Sequence, residues 1–171
     1  MWDKFGEFDS AKELNRAAAA QKAEGDEEAL KLLAKENGID PEDTEDYLDG
    51  AVEELATPLM AALGKLKVEA EDLKLDGILR DWEACILEQV RKDEQMQAAV
   101  RRKGKNLKNC MAAILKYSFE EKVRISDEIV NSTKVIRNGK EEKLRGPVYM
   151  GIPDRAKTKE LIRNYYLGGQ L

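Results

Sequence analysis

The chain has 171 residues with 29 Lys+Arg, 34 Asp+Glu and no histidine. That length suits one domain or two small ones, and the missing imidazole removes the commonest general base, pH switch and metal ligand together. Hydrophobic residues make up 42%, charged residues 37% and aromatics 6%, a mix that favours amphipathic helices with solvated outer faces over aromatic-rich β-sandwiches.

The first helix is predicted from Ser10-Ala11-Lys12-Glu13, a capping box in which Ser10 caps and Glu13 reaches back; it runs through Leu14 and Ala17 to stop near Gly25. Asp26 caps the second helix, whose acidic first turn holds Glu27 and Glu28 and whose end is Gly38. Asp40 is another cap, followed by Pro41 at the first position of a third helix that ends by Gly50. Val52, Leu55, Ala56, Leu59, Leu63 and Leu66 then repeat at helical spacing across Pro58. Either that helix kinks at Pro58, or Thr57 caps a fresh one.

The strongest helical face is Leu75, Ile78, Leu79, Trp82, Ile86 and Val90. The pattern weakens from Met96 to Val100 and is punctuated by Gly104. Leu107, Met111, Ile114 and Leu115 mark another helix; Ser118-Phe119-Glu120-Glu121 and Ser126-Asp127-Glu128 read as further caps. Lys134-Val135-Ile136-Arg137 followed by Asn138-Gly139 is the one hairpin signal, since Asn-Gly suits a type I′ turn. Gly151-Ile152-Pro153-Asp154 starts a last helix with Leu161, Ile162, Tyr165 and Tyr166 inward, closed by Gly168-Gly169. The expected fold is mainly α, a bundle of short helices with one short β-hairpin near residues 133–150.

Charge is segregated. Residues 1–60 carry 17 acidic against 6 basic residues, a net of −11; residues 61–171 carry 17 against 23, a net of +6. The turn in charge balance places a boundary near 65–75, giving an acidic region over 1–68 and a basic one over 69–171. One-signed surfaces steer and retain oppositely charged partners. Arg101, Arg102, Lys103, Lys105 and Lys108 form an acid-free basic cluster, together with Lys116. They are candidates for phosphate or partner contact, the alternative being a solvated turn between helices. Asp40, Glu42, Asp43, Glu45, Asp46 and Asp49 are a candidate acidic partner-binding face, able to occupy a protein groove shaped for phosphates, or else a solubilising face. Tyr165-Tyr166 could stack on bases, but a core position on a terminal helix is favoured.

The two cysteines, Cys85 and Cys110, lie far apart within apolar helical patterns and read as buried reduced thiols. No zinc ligand spacing, EF-hand loop or phosphate-binding glycine loop occurs. No catalytic residues, metal or cofactor are therefore expected. No run is apolar enough to span a bilayer, and Met1-Trp2-Asp3-Lys4-Phe5 lacks signal-peptide regions. The expected location is the cytoplasm of whatever cell makes it.

Two stretches carry a family resemblance. Pro147-Val148-Tyr149-Met150-Gly151-Ile152-Pro153-Asp154, leading to Arg163-Asn164-Tyr165-Tyr166-Leu167, resembles the tail of PcfK-like proteins, small proteins of conjugative elements and phages. Asp3-Lys4-Phe5-Gly6-Glu7-Phe8-Asp9-Ser10 with Glu13-Leu14-Asn15 is similar to small proteins carried by mobile elements of gut Gram-positive bacteria. Some members of that group are anti-CRISPR proteins. The resemblance implies a non-enzymatic protein that binds Cas9 with its guide RNA and blocks target-DNA binding or cleavage. It carries over no catalytic residue. The alternative is a nucleic-acid-binding accessory protein of a conjugative element or phage. Opposite charges at the two ends can pair within one chain or between two, so dimerisation stays open.

Overall fold

A computed structural model describes residues 3–168. Helix accounts for 63% of it, in nine helices with two small antiparallel two-stranded sheets among the described residues. Six helices build the first two-thirds: α1 (Ala11–Glu24), α2 (Glu27–Glu36), α3 (Pro41–Asp49), α4 (Pro58–Leu73), α5 (Ile78–Lys92) and α6 (Glu94–Arg101). Then follow α7 (Leu107–Glu120), β1 (Val123–Arg124), α8 (Asp127–Ser132), β2 (Lys134–Arg137), β3 (Lys140–Lys143), β4 (Tyr149–Met150) and α9 (Arg155–Leu167). No helix is long and apolar enough to cross a membrane among these residues.

Local chemistry accounts for most boundaries. The Ser10 hydroxyl accepts from the Glu13 N–H, and the Glu13 carboxylate accepts from the Asp9 N–H at 2.8 Å, one residue earlier than a regular capping box. Asp26 caps α2, and Thr57 caps a new helix at Pro58, which decides the Pro58 question in favour of a fresh start. Three expected caps differ. Ser118 lies inside α7, where its hydroxyl donates to the Ile114 carbonyl at 3.1 Å. Ser126 precedes α8 but makes no side-chain cap. Asp40 stands at the start of α3 without capping it, because its carboxylate is taken by Lys67 at 2.9 Å. The hairpin forms as expected: Asn138 and Gly139 both have positive φ (52° and 75°), as a type I′ turn requires. Gly168 ends α9; Gly169 lies outside the described residues.

The interior holds two apolar clusters. Leu14, Leu30, Leu33, Ile39, Tyr47, Leu55 and Ala61 form the first, from α1–α3 and the start of α4. Ala62, Leu66, Trp82, Ile86, Val90, Met96, Val100, Leu107, Ile114, Ile162 and Tyr166 form the second, from α4–α7 and α9. Neighbouring residues of α4, Ala61 and Ala62, belong to different clusters. The expected boundary at 68/69 thus falls inside a helix that serves both cores, and no linker separates the acidic from the basic region. Ile78 and Leu115, expected inward, are exposed.

α4 can sit this deep because its backbone touches that of α2. A Cβ built on Gly64 would lie 2.2 Å from the Asn37 carbonyl oxygen, and one on Gly38 would lie 2.3 Å from the Gly64 oxygen. Both obstacles are main chain and cannot swing away. Gly64→Ala is expected to destabilise the fold by about 3 kcal/mol, at the upper end of overpacking costs. Urea unfolding followed by circular dichroism measures it; a loss under about 0.5 kcal/mol would show the crossing to be loose.

Candidate partner interface

Between the two cores lies a seam of buried charge. Lys65 of α4 has no exposed side-chain surface, and its ammonium donates to the Glu7 carboxylate and to the carbonyls of Lys105 (2.7 Å) and Arg102 (3.4 Å). One turn on, the buried Glu69 accepts from the Leu107 N–H at 2.8 Å and lies 3.8 Å from Lys65. Burial pushes the Glu69 carboxyl up, opposed by the Leu107 N–H and the Lys65 ammonium. The loop between α6 and α7 is therefore moulded on α4: two of its carbonyls rest on a cation, and the first N–H of α7 rests on an anion.

Arg101 completes the seam. It is 1% exposed, and its guanidinium donates to the Phe8 carbonyl (3.2 Å), the Asn37 side-chain oxygen (3.2 Å) and the Ala61 carbonyl (3.4 Å). Burial lowers its proton affinity, with Glu7 and Glu69 acting the other way. Residues 3–9 form a strap across this seam. Glu36 accepts from the Lys4 and Phe5 N–H groups, Glu7 meets Lys65, and the Asp9 carboxylate accepts from the Lys103 N–H at 2.7 Å.

These contacts divide the expected basic cluster. Arg101 is corrected from a surface phosphate contact to an internal tie: it follows Gln97 by one turn on the buried side of α6, and its guanidinium is turned to the Phe8 and Ala61 carbonyls and the Asn37 side chain. Lys105 is half-buried, with its ammonium on the Tyr165 carbonyl at 2.6 Å and 4.9 Å from the centre of that ring. Arg102, Lys103 and Lys108 are exposed, as is Lys116 on the next turns of α7. Tyr166 is fully buried and offers no stacking face; Tyr165 is half-buried, its hydroxyl accepting from the Asn106 N–H at 2.9 Å and the Lys105 ammonium lying over its ring.

The acidic face divides as well. Glu42, Glu45, Asp46 and Asp49 lie at i, i+3, i+4 and i+7 on the solvent side of α3, opposite the buried Thr44 and Tyr47. None of the four forms an ion pair among the described residues. Like charges one turn apart repel by a few tenths of a kcal/mol, so this face is held by the core beneath it. Asp43 is half-buried, and Asp40 is committed to Lys67. Beside them a cleft of about 440 Å³ mixes both signs, Lys31, Lys35 and Lys67 against Asp40, Glu45 and Glu71.

Lys65, Glu69, Glu7 and Asn37 were not singled out by composition. A signal was present for two of them: Ala62, Lys65, Leu66, Glu69 and Ala70 share one helical stripe, so the ions interrupt an apolar face. Nothing local marks Glu7 or Asn37. Cys85 and Cys110 are both free and buried as expected, and burial pushes the Cys110 thiol up to about 12. No group of three or more His, Cys, Asp or Glu able to hold a metal occurs among the described residues. Comparison with family models, curated proteins and solved structures returned no match.

A second clamp fixes the C-terminal helix. Glu88 of α5 meets Arg155 (2.7 Å) and Lys159 (3.2 Å) of α9 and its own neighbour Lys92, while Asp93 meets Arg163 at 2.7 Å. These cations, Arg155 foremost, hold the Glu88 carboxyl at about 2 instead of 4.5. A depressed carboxylate contributes stability above its unfolded value and loses it as pH falls through the folded one. The melting-temperature difference between the native chain and Glu88→Gln should thus be full at pH 6 and vanish between about pH 4.5 and 2; a constant gap over that range would discount the clamp.

Breaking the seam should cost far more. Lys65→Met is expected to lose about 3–5 kcal/mol, because it strands a buried carboxylate and two carbonyls. Combined with Glu69→Gln, which keeps an acceptor for Leu107, the loss should fall short of the sum by more than about 0.5 kcal/mol. Strict additivity in urea unfolding would mean that the two ions do not interact.

Proposed function

We propose that this protein acts by binding, as an inhibitor of the RNA-guided nuclease Cas9: it engages the Cas9–guide RNA complex and blocks target-DNA binding or cleavage. The observation that carries the reading is the pairing of two oppositely charged displays on one body. Four unpaired carboxylates of α3 face solvent, while Arg102 and Lys103 are presented from a loop pinned to Lys65 and Glu69, with Lys108 beside them on the first turn of α7. A ribonucleoprotein nuclease offers the complements to both: positively charged channels shaped for nucleic acid, and the phosphates of its guide. The resemblance of the C-terminal stretch to PcfK-like proteins, and of the opening to small mobile-element proteins, supports the same reading. Pre-organised charge also favours fast, specific association.

The exposed trio Arg102, Lys103 and Lys108 favours a second reading, a nucleic-acid-binding accessory protein of a conjugative element or phage, which would act without Cas9.

Size-exclusion co-elution with Cas9, with and without guide RNA, together with a DNA-cleavage assay, separates the two. The inhibitor reading expects a stable complex and loss of cleavage. Replacing Glu42, Glu45, Asp46 and Asp49 by their amides should weaken that complex about tenfold or more, about 1.4 kcal/mol per decade. Separate elution with cleavage intact would eliminate Cas9 as the target and leave the accessory reading in front.

A further inference from the structure

The β2–β3 hairpin has no role in the core. Seven of the eight strand residues are exposed, Val135 alone being half-buried, and Ile136 is 78% exposed. An isolated two-stranded hairpin is marginal in water. This one also carries two unfavourable pairs. Its register sets Lys134 opposite Lys143 and Arg137 opposite Lys140, and like charges directly opposed across strands are destabilising. The other two pairs are Val135 with Glu142 and Ile136 with Glu141.

Opposed residues share a face, and residues along a strand alternate. One face therefore presents Lys134, Lys143, Ile136 and Glu141; the other presents Arg137, Lys140, Val135 and Glu142. Each face bears two cations against one carboxylate, and on the first face Glu141 is already held by Lys134 at 2.9 Å. Arg145 follows just beyond the strand. A ribbon meant for a flat anionic surface would collect its cations on one side. Cations on both sides suit a groove with phosphates on both walls. The strands are about 13 Å long at ~3.3 Å per residue, and the major groove of B-form DNA, about 12 Å wide, admits a two-stranded ribbon. The major groove of A-form RNA is too deep and narrow for one.

We infer that the hairpin of residues 134–143 is a DNA-contacting element that enters the major groove of duplex DNA, with Arg137 and Lys140 reaching the phosphates on one wall and Lys134 and Lys143 those on the other. This inference stands apart from the inhibitor reading, because it needs no nuclease.

The test uses the full chain and a labelled duplex of about 20 base pairs in fluorescence anisotropy, between about 50 and 200 mM salt. Binding is expected, with affinity falling linearly against salt on logarithmic axes. Arg137→Gln with Lys140→Gln should weaken binding about tenfold at the lowest salt and reduce the slope by about 2, near 0.9 per lost phosphate contact. Lys134→Gln with Lys143→Gln should do the same. Amide chemical-shift changes on adding DNA to the native protein should centre on residues 134–145, a readout that does not depend on variants folding. Failure of the native chain to bind, unchanged binding by both double variants, shift changes confined to Arg102–Lys108, or equal affinity for an RNA duplex would each overturn the inference.

Discussion

Three buried charges, Lys65, Glu69 and Arg101, hold the protein together where its two apolar cores meet. Most of their contacts are to main chain, the carbonyls of Phe8, Ala61, Arg102 and Lys105 and the N–H of Leu107, joined by the side chains of Glu7 and Asn37. Buried ions are costly unless each is met by a partner. The compensation here comes from segments far apart in sequence: the strap before α1, the end of α2, and the loop before α7. The native arrangement brings these partners together and leaves the Arg101 Nε–H without one among the described residues. The seam consequently selects one packing of two clusters that apolar contact alone would leave free to slide. The backbone contact of Gly38 with Gly64 serves the same end, since it brings Asn37 within reach of Arg101.

The seam also governs what the surface shows. Holding the α6–α7 loop from beneath leaves Arg102 and Lys103 nowhere to go but outward, while Arg101 and Lys105 are drawn in. A cluster of five cations in the sequence thus becomes three on the surface and two in the framework. On α3 the reverse holds: the buried Thr44 and Tyr47 orient the helix so that four carboxylates face solvent without an ion pair among the described residues. Both displays belong to one folded body because α4 takes part in both cores. Beyond this body the segment from Phe119 to Ile152 is of a different kind. Phe119, Val123, Ile129, Ile136, Tyr149, Met150 and Ile152 are all exposed there, and the short ribbons contribute little to the interior.

Most of the secondary structure was legible because its determinants are local. Ser10, Asp26 and Asp154 each cap a helix through their own side chains; Thr57, one of two readings at Pro58, caps α4; and Asn138-Gly139 forms its turn from residues that tolerate positive φ. Misreadings came where a nearby residue had a stronger claim elsewhere. Ser118 looked like a cap but finds the Ile114 carbonyl within a helix that continues through it. Asp40 looked like a cap but is taken by Lys67, 27 residues away. Charge segregation was real, yet it did not mark a boundary between domains, because net charge records surface composition and not which helix spans two cores.

The sequence by itself determined the helical class, the order and most limits of the helices, the one hairpin, and the acidic side of α3, since all of these follow from spacing, caps and turn residues within a few positions. Tertiary structure alone decided which charges are surface and which are framework. Lys65 and Arg101 are chemically the same kinds of residue as Lys103 and Arg102. Burial and partners from distant segments separate them, and a run of cations read along the chain contains no information about either.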